Sequence, residues 1–271
     1  MKYLISIALL LLLAAGCSVT TFNELNERNP EWLVVDGWMT NHPEEQLVFL
    51  SRTQEFGNTT TPPGVDDATI LVFTETNIVT LNNLGHGWYA TPIDFALEPA
   101  NAYRFEVRTD SSIHEYRTVL PGAITVSDLQ VDTLEEGFEG WVELEGDPNT
   151  VAYVFPRIYA LEEIDGDTLE TELGQGIRLD EIASITFDEF GFSEFNWELE
   201  DAELPANTEL VRIEIHSVNA ELVNYLTNLQ QDVSGDLFSP YAANPPAMFD
   251  NEALGVVFNS TMDWVVVELE D

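Results

Sequence analysis

Apolar residues in this chain come in short runs that polar turns separate. Val, Ile, Phe, Tyr and Trp dominate the runs, and Asn, Asp, Ser, Gly and Pro fill the gaps, which is typical of an antiparallel β meander. The first six runs are Leu33–Met39, Leu47–Leu50, Ala68–Phe73, Ile78–Leu81, Tyr103–Val107 and Ile113–Val119. Together they predict an antiparallel, immunoglobulin-like β-sandwich over residues 32–120.

The tripeptide at residues 120–122, Leu-Pro-Gly, interrupts this pattern and predicts a domain boundary. Strand-like runs resume after it and predict a second, β-rich domain over residues 121–271. A proline cannot donate to a sheet's hydrogen-bond ladder, so Pro156 predicts that its strand lies at an edge or carries a bulge. The acidic stretch 162–180 favours a loop. The strand-like runs are Gly140–Leu144, Ala152–Leu161, Phe192–Leu199, Leu210–Ser217 and Trp264–Leu269.

One segment, residues 220–232, has the period of a helix. Asn219 is placed to cap its start and Gly235 to close its end. The sequence therefore predicts a mainly β protein whose second domain carries one amphipathic helix. The apolar positions share one helix face and are Leu222, Tyr225, Leu226 and Leu229.

The first 16 residues have the layout of a signal peptide, with a basic start, an apolar run and small residues before a cysteine. The run is shorter than the roughly 20 residues that a membrane span requires. Ala14-Ala15-Gly16-Cys17 resembles a bacterial lipobox, in which the Cys17 thiol is acylated and the chain is cleaved after Gly16. Residues 17–31 would then be a polar tether. The alternative is an ordinary signal peptide followed by an incidental cysteine.

The charge of the chain excludes one class of partner. Its 271 residues hold 49 Asp plus Glu against 9 Lys plus Arg, a formal net charge of −40 at pH 7. Such a charge repels phosphate backbones and anionic lipid headgroups, so nucleic acid is excluded and membrane contact is expected through the N-terminal lipid only. The acids are spread along the chain and Lys2 is the one lysine, a pattern that resembles proteins of halophiles.

Motifs for catalysis and metal binding are weak. No G-x-S-x-G elbow and no glycine-rich phosphate loop occur in the sequence. Once Cys17 is acylated, no thiol remains for a disulfide or a zinc site. The acidic segment 165–172 hints at a calcium loop, but it lacks the full D-x-[DN]-x-[DN]-G spacing, and the ordinary explanation is a solvated acidic turn. The four histidines lack metal-ligand spacing and are His42, His86, His114 and His216.

We therefore predict no catalytic residue, no cofactor and no metal ligand, and a protein that is not an enzyme. Aromatic residues are the remaining candidates, since they either line a sugar or peptide groove or fill core positions of strands. In the pair Trp88-Tyr89, alternation along a strand must send one ring outward. The candidates are Trp38, Trp88, Tyr89, Trp141 and Trp197.

Several segments, in order, resemble one known family. Besides the lipobox they are residues 33–41 (LVVDGWMTN), 50–53 (LSRT), 214–218 (EIHSV), 237–240 (LFSP), 244–246 (NPP) and 254–255 (LG). They are similar to DUF4249, a lipoprotein family of Bacteroidota and relatives with a domain of unknown function. The resemblance implies an outer-membrane lipoprotein, often encoded beside a TonB-dependent receptor, with no established activity and no catalytic residues to transfer. The acidity and the segment 162–203 depart from the family pattern.

These observations favour a lipid-anchored envelope lipoprotein. We expect a non-enzymatic binding or accessory component that works with an outer-membrane TonB-dependent transporter, on the periplasmic or the surface side. One alternative is a carboxylate-based hydrolase of polysaccharide or peptide, because 49 acids make chance pairs at about 5 to 9 Å unavoidable. Another is a purely structural envelope component.

Overall fold

The computed structural model describes residues 32–53, 61–134, 137–148, 150–164, 167–173, 182–200, 208, 210–233, 248–250 and 253–269. These residues form sixteen β-strands and one helix, α1 (Ala220–Val233), so the prediction of a mainly β fold is confirmed. The strands are β1 (Leu33–Thr40), β2 (Leu47–Arg52), β3 (Thr69–Phe73), β4 (Ile78–Thr80), β5 (Asn82–Gly85), β6 (Trp88–Ala90), β7 (Ala102–Arg108), β8 (Ile113–Val119), β9 (Thr125–Leu134), β10 (Gly137–Glu145), β11 (Val151–Ile164), β12 (Asp167–Leu173), β13 (Ala183–Thr186), β14 (Phe192–Glu200), β15 (Leu210–Val218) and β16 (Leu254–Glu268).

Three sheets build the described part of the molecule. A nine-stranded sheet, the long sheet, has the order β12-β11-β15-β16-β1-β2-β6-β5, and β13 also pairs with β11. A four-stranded sheet, β4-β3-β7-β8, shares a core with β1 and β2 of the long sheet, built on buried residues such as Val35 and Phe105. A three-stranded sheet, β14-β10-β9, shares a second core with β11 and β15, which includes Phe138 and Ile213.

Strand β16 belongs to both halves of the long sheet. Its first part pairs in parallel with β1, from Val34 opposite Leu254 to Thr40 opposite Ser260. Its second part pairs antiparallel with β15. The predicted boundary at residues 120–122 falls between β8 and β9, and the division into two domains stays a prediction.

The predicted helix is present as α1, and its cap is the predicted one. The Asn219 side-chain oxygen accepts a hydrogen bond from the Leu222 backbone N–H at 2.9 Å. Leu222 and Tyr225 are buried against Phe155 and Val256 on the face of the long sheet that lies opposite the two cores. Gly235 lies outside the described residues.

Local sequence patterns misplaced several elements. Residues 82–85 lie outside the predicted runs but form β5, and the turn falls at His86 and Gly87, which have φ values of 56° and 84°. The acidic stretch predicted as a loop instead contains the end of β11 and all of β12. β9 and β13 were not predicted, and β16 begins at Leu254 rather than at Trp264.

Strand β11 lies inside the long sheet, so the prediction of an edge strand was wrong. β15 pairs along one side of it, and β13 and β12 pair along the other. Pairing with β13 ends at Val154 and pairing with β12 begins at Ile158. Pro156 therefore falls in a gap between two partner strands, where the missing N–H leaves no carbonyl of those strands without a donor.

Candidate functional site

The outer face of the β14-β10-β9 sheet holds the first candidate site, which we call the Trp141 face. Side chains alternate along β10, so the burial of Phe138, Val142 and Leu144 in the core turns Trp141 outward. Trp141 pairs with Asn196 of β14 and Gln130 of β9. The neighbouring rows contain only carboxylates and are Asp132, Glu139 and Glu198 on one side, and Asp128, Glu143 and Glu194 on the other.

A depression of about 440 Å³ lies over part of this face. Its walls include Trp141, the two amides and the row of Asp132, Glu139 and Glu198. The volume falls within the roughly 300 to 1,000 Å³ of small-molecule sites in proteins. Amides donate and accept hydrogen bonds and carboxylates accept them, so the depression offers both partners that a hydroxyl group needs.

Gly140 lets the Trp197 ring line the depression. It pairs with Trp197, and a Cβ at position 140 would lie 2.3 Å from Cζ2 of the Trp197 ring. Only a glycine lets this indole lie across β10. Trp197 is buried, and its Nε1–H has no hydrogen-bond partner in the described part of the chain.

The structure brings together two of the five aromatic candidates, Trp141 and Trp197. The predicted alternation at Trp88-Tyr89 is confirmed, since Trp88 is 44% exposed and Tyr89 is 1% exposed. Trp38 is half-buried elsewhere, in a cluster on the long sheet.

That cluster contains a second candidate, a buried hydrogen-bond chain around His216. Trp38 Nε1–H donates to the Ser260 hydroxyl at 3.0 Å, and Ser260 Oγ lies 3.0 Å from His216 Nδ1. His216 Nε2 lies 3.0 Å from the carboxylate of Glu214, whose other oxygen is 2.9 Å from Arg212. The order serine, histidine, carboxylate is that of a hydrolase triad.

Burial argues against catalysis by this group. His216 is 1% exposed and Ser260 is 0% exposed, so no substrate carbonyl can reach the hydroxyl. Burial lowers the pKa of His216 against the opposing effect of Glu214, which favours a neutral imidazole that donates from Nε2 and accepts at Nδ1. Burial also acts to raise the pKa of Glu214, but its bond to His216 and nearby Arg212 and Arg157 outweigh this and the pKa is lowered.

Two arginines connect the His216 hydrogen-bond chain to the acidic strand β12. Arg157 forms a two-pronged ion pair with Glu172, at 2.8 and 2.6 Å, and Arg212 bonds Glu170 at 2.7 Å. The Tyr159 ring lies between the two guanidinium groups, 5.3 and 4.6 Å from their centres. Two carboxylates of the proposed calcium segment therefore neutralise arginines, and residues 165–166 lie outside the described residues.

The other sequence candidates remain apart. His42 is half-exposed near Glu44, and His114 is buried with its Nε2 2.7 Å from the Ser112 hydroxyl. Among the described residues no group of three or more His, Cys, Asp or Glu side chains is placed to hold a metal ion. Cys17 and the tether lie outside them. No helix in the described ranges is long and apolar enough to cross a bilayer.

Sequence reasoning missed the partners of His216. Glu214 precedes it by two residues on the same strand, so both side chains share one face, a spacing that the sequence does show. Ser260 comes from β16 and could be found only from the strand order. The amide row beside Trp141 likewise required the register of β9, β10 and β14.

The sequence and fold define a member of a family whose function is unknown. The model of DUF4249, a domain of unknown function, matches residues 19–255, and the chain belongs to this family. No curated protein matches the chain.

Likenesses to solved structures are weak. A candidate carbohydrate binding protein from Bacteroides uniformis is 11% identical with a TM-score of 0.27, covering 89% of this chain and 100% of its own. Bovine butyrophilin is 14% identical with a TM-score of 0.22, covering 68% of this chain and 91% of its own. Salmonella alpha-2-macroglobulin is 12% identical with a TM-score of 0.22, covering 69% of this chain and 13% of its own. At these scores the likenesses carry no argument about ligand or mechanism.

Proposed function

We propose that this protein is a lipid-anchored, non-enzymatic binding protein of the cell envelope whose ligand is a neutral oligosaccharide. The proposal rests on one observation, the row of Gln130, Trp141 and Asn196 that lies between rows of carboxylates. The apolar C–H face of a sugar ring packs on an indole, while amides and carboxylates bond its hydroxyl groups. An anionic polymer is repelled by the same carboxylates.

The open position of these carboxylates favours binding over hydrolysis. Glu139 faces both Glu198 and Asp132 across the strands, and such neighbours have Cβ atoms about 4.5 to 5.5 Å apart. Cleavage of a glycosidic bond needs one carboxyl group kept protonated by apolar, water-poor surroundings. All three side chains are exposed to solvent, so none of them lies in such surroundings.

Titration calorimetry of the mature chain with cellohexaose, xylohexaose and maltohexaose tests this proposal. We expect one of them to bind, and Trp141→Ala to weaken binding at least tenfold. The matched control is Trp88→Ala, which removes an exposed indole from β6, outside the Trp141 face. Equal binding by Trp141→Ala and the unmodified protein would contradict the assignment of the ligand to the Trp141 face. Shortened oligosaccharides in the calorimeter cell after one day would contradict the non-enzymatic role.

The anchor and the transporter partner rest on the lipobox and on the family resemblance. In a producing cell, Cys17→Ala should abolish fatty-acid labelling and release the protein from membranes. Chemical crosslinking of the lipidated full chain should then retain a TonB-dependent transporter. A Cys17→Ala protein that stays membrane-bound in processed form would contradict the anchor.

A further inference from the structure

A second cavity of about 480 Å³ lies between the β4-β3-β7-β8 sheet and the start of α1. Two arginines, Arg104 and Arg117, and two glutamates, Glu75 and Glu221, are among its lining residues. The helix is held there by Asn219, whose amide donates to the Thr118 hydroxyl at 3.0 Å. We call this cavity the arginine pocket; it shares no residue with the Trp141 face.

The two arginines stand directly opposite each other on β7 and β8. Like charges at such positions destabilise a sheet. The mature chain after Cys17 contains eight arginines and no lysine, so two of its few cations lie in one cross-strand pair. Together with Arg108 they share two carboxylates, Glu106 and Glu115, so a ligand's negative charge would complete the cluster.

Arg104 is held rigidly but keeps free donors. Its guanidinium lies 3.6 Å from the centre of the Phe73 ring, and its Nη1 bonds Glu106 at 2.9 Å and Glu115 at 2.6 Å. Both ion pairs use the same nitrogen, and its Nε and Nη2 have no hydrogen-bond partner within the described ranges. A fixed guanidinium with unused N–H groups loses little entropy when it binds a carboxylate.

Arg117 is the more accessible of the pair. Its side chain is 74% exposed, and its contact with Glu115, at 3.2 Å, uses Nη2. The bonds from Arg104 and then Arg117 lower the pKa of Glu115, so this carboxylate stays charged and holds both guanidinium groups in place. The side chains that carry these two guanidinium groups both line the cavity.

The remaining walls restrict the ligand further. Glu75 and Glu221 are exposed carboxylates, which would repel a simple anion but attract an ammonium group. Val119, which is 55% exposed, and Ala102 add an apolar surface. Two cationic groups, two anionic groups and an apolar wall match a molecule that carries a carboxylate, an ammonium and a hydrocarbon group.

We propose that the arginine pocket binds a zwitterionic amino acid or short peptide. Its carboxylate lies at Arg104 and Arg117, its ammonium at Glu75 and Glu221, and its apolar side chain at Val119. A ligand of this kind is distinct from the oligosaccharide proposed for the Trp141 face, so the failure of one proposal leaves the other standing.

Titration calorimetry of the mature chain with leucyl-leucine tests the pocket. We expect binding in the micromolar to millimolar range, a loss of at least tenfold in affinity for Arg117→Gln, and a similar loss when the peptide's carboxylate is amidated or its amine acetylated. Arg52→Gln makes the same change of charge on β2, outside the pocket, and should bind like the unmodified protein.

Circular dichroism should show that Arg117→Gln keeps its fold, because that side chain is largely exposed. Absence of heat at millimolar leucyl-leucine would overturn the proposal. So would equal affinity for the free, amidated and acetylated peptides, or equal affinity of Arg117→Gln and Arg52→Gln. Binding that survives amidation but not acetylation would overturn the role of the arginines.

Discussion

At the scale of single residues, the polar side chains inside the long sheet are bonded to one another rather than left isolated. Trp38, Ser260, His216 and Glu214 each supply the donor or acceptor that the next one requires. Phe155 stacks on the imidazole at 5.3 Å between ring centres. Removing one member takes a partner away from each of its buried neighbours, and a buried group left without a partner costs about 1 to 3 kcal/mol.

His216→Gln should reveal this network through pH. Because the pKa of His216 is lowered on folding, the unfolded chain binds more protons below about pH 6.5, and the unmodified protein loses stability as the pH falls. Glutamine does not titrate. The variant should therefore be less stable at pH 8 by about 1 to 3 kcal/mol, with a gap that narrows toward pH 5.

Urea unfolding at several pH values measures that gap, and titratable groups that do not contact His216 cancel from it. His42→Gln, which removes a half-exposed histidine away from the network, is the control. A gap that is constant between pH 8 and pH 5 would contradict a neutral, buried His216.

At the scale of elements, the parallel contact between β1 and β16 depends on Gly255. Its φ is +90°, and a Cβ there would lie 2.0 Å from the Val35 carbonyl oxygen. Gly85 has a φ of +88° but nothing within 4 Å of its ideal Cβ position. The two glycines therefore share the backbone strain of an alanine substitution and differ in the steric clash.

Gly255→Ala should lose more stability than Gly85→Ala in urea unfolding. Both variants lose about 1 to 2 kcal/mol of unfolding free energy because alanine disfavours the left-handed conformation. Gly255→Ala loses about 1 to 3 kcal/mol more because β1 must move away from the added Cβ. Equal losses would show that β1 and β16 separate without cost at this point.

Elements were predictable from the sequence where apolar and polar residues alternate, as in β8 and β15, and where a helix face was complete, as in α1. The start of β16 was not, because its polar residues at 259–261 are buried and bonded inside the protein. The acidic strand β12 was not predictable either, because the arginines that pair with Glu170 and Glu172 lie on other strands. Trp141 and Trp197 were recognisable as candidates, whereas the rows around them arise from pairing across strands.

At the scale of the whole molecule, charge dominates. Five arginines of the described residues lie in two ion-pair clusters, Arg104, Arg108 and Arg117 in one and Arg157 and Arg212 in the other. The chain holds 49 acids against 9 lysines and arginines, too few basic side chains for one-to-one pairing with the carboxylates. Their mutual repulsion disfavours the compact state.

Sodium chloride should therefore raise the melting temperature steeply between 0.1 and 1 M, as the Debye length falls from about 10 Å to about 3 Å. Differential scanning calorimetry measures the effect, with sucrose of equal osmolality as a control for exclusion from the protein surface. Calcium at millimolar concentration and constant chloride should add little. A melting temperature that does not change with salt would contradict the halophilic interpretation.

The pairing of β16 with both β1 and β15 also has a consequence for folding during synthesis. A ribosome makes proteins from the N-terminus, and domains usually fold in that order as they emerge. Here the Asn41 side chain donates to the Met262 carbonyl across 221 positions of sequence, and β1 lies beside the start of β16. The first strand must wait, with one edge unpaired, until β16 has been synthesised. A premature stop shortly before β16 would thus leave β1 and β15 each with one unpaired edge.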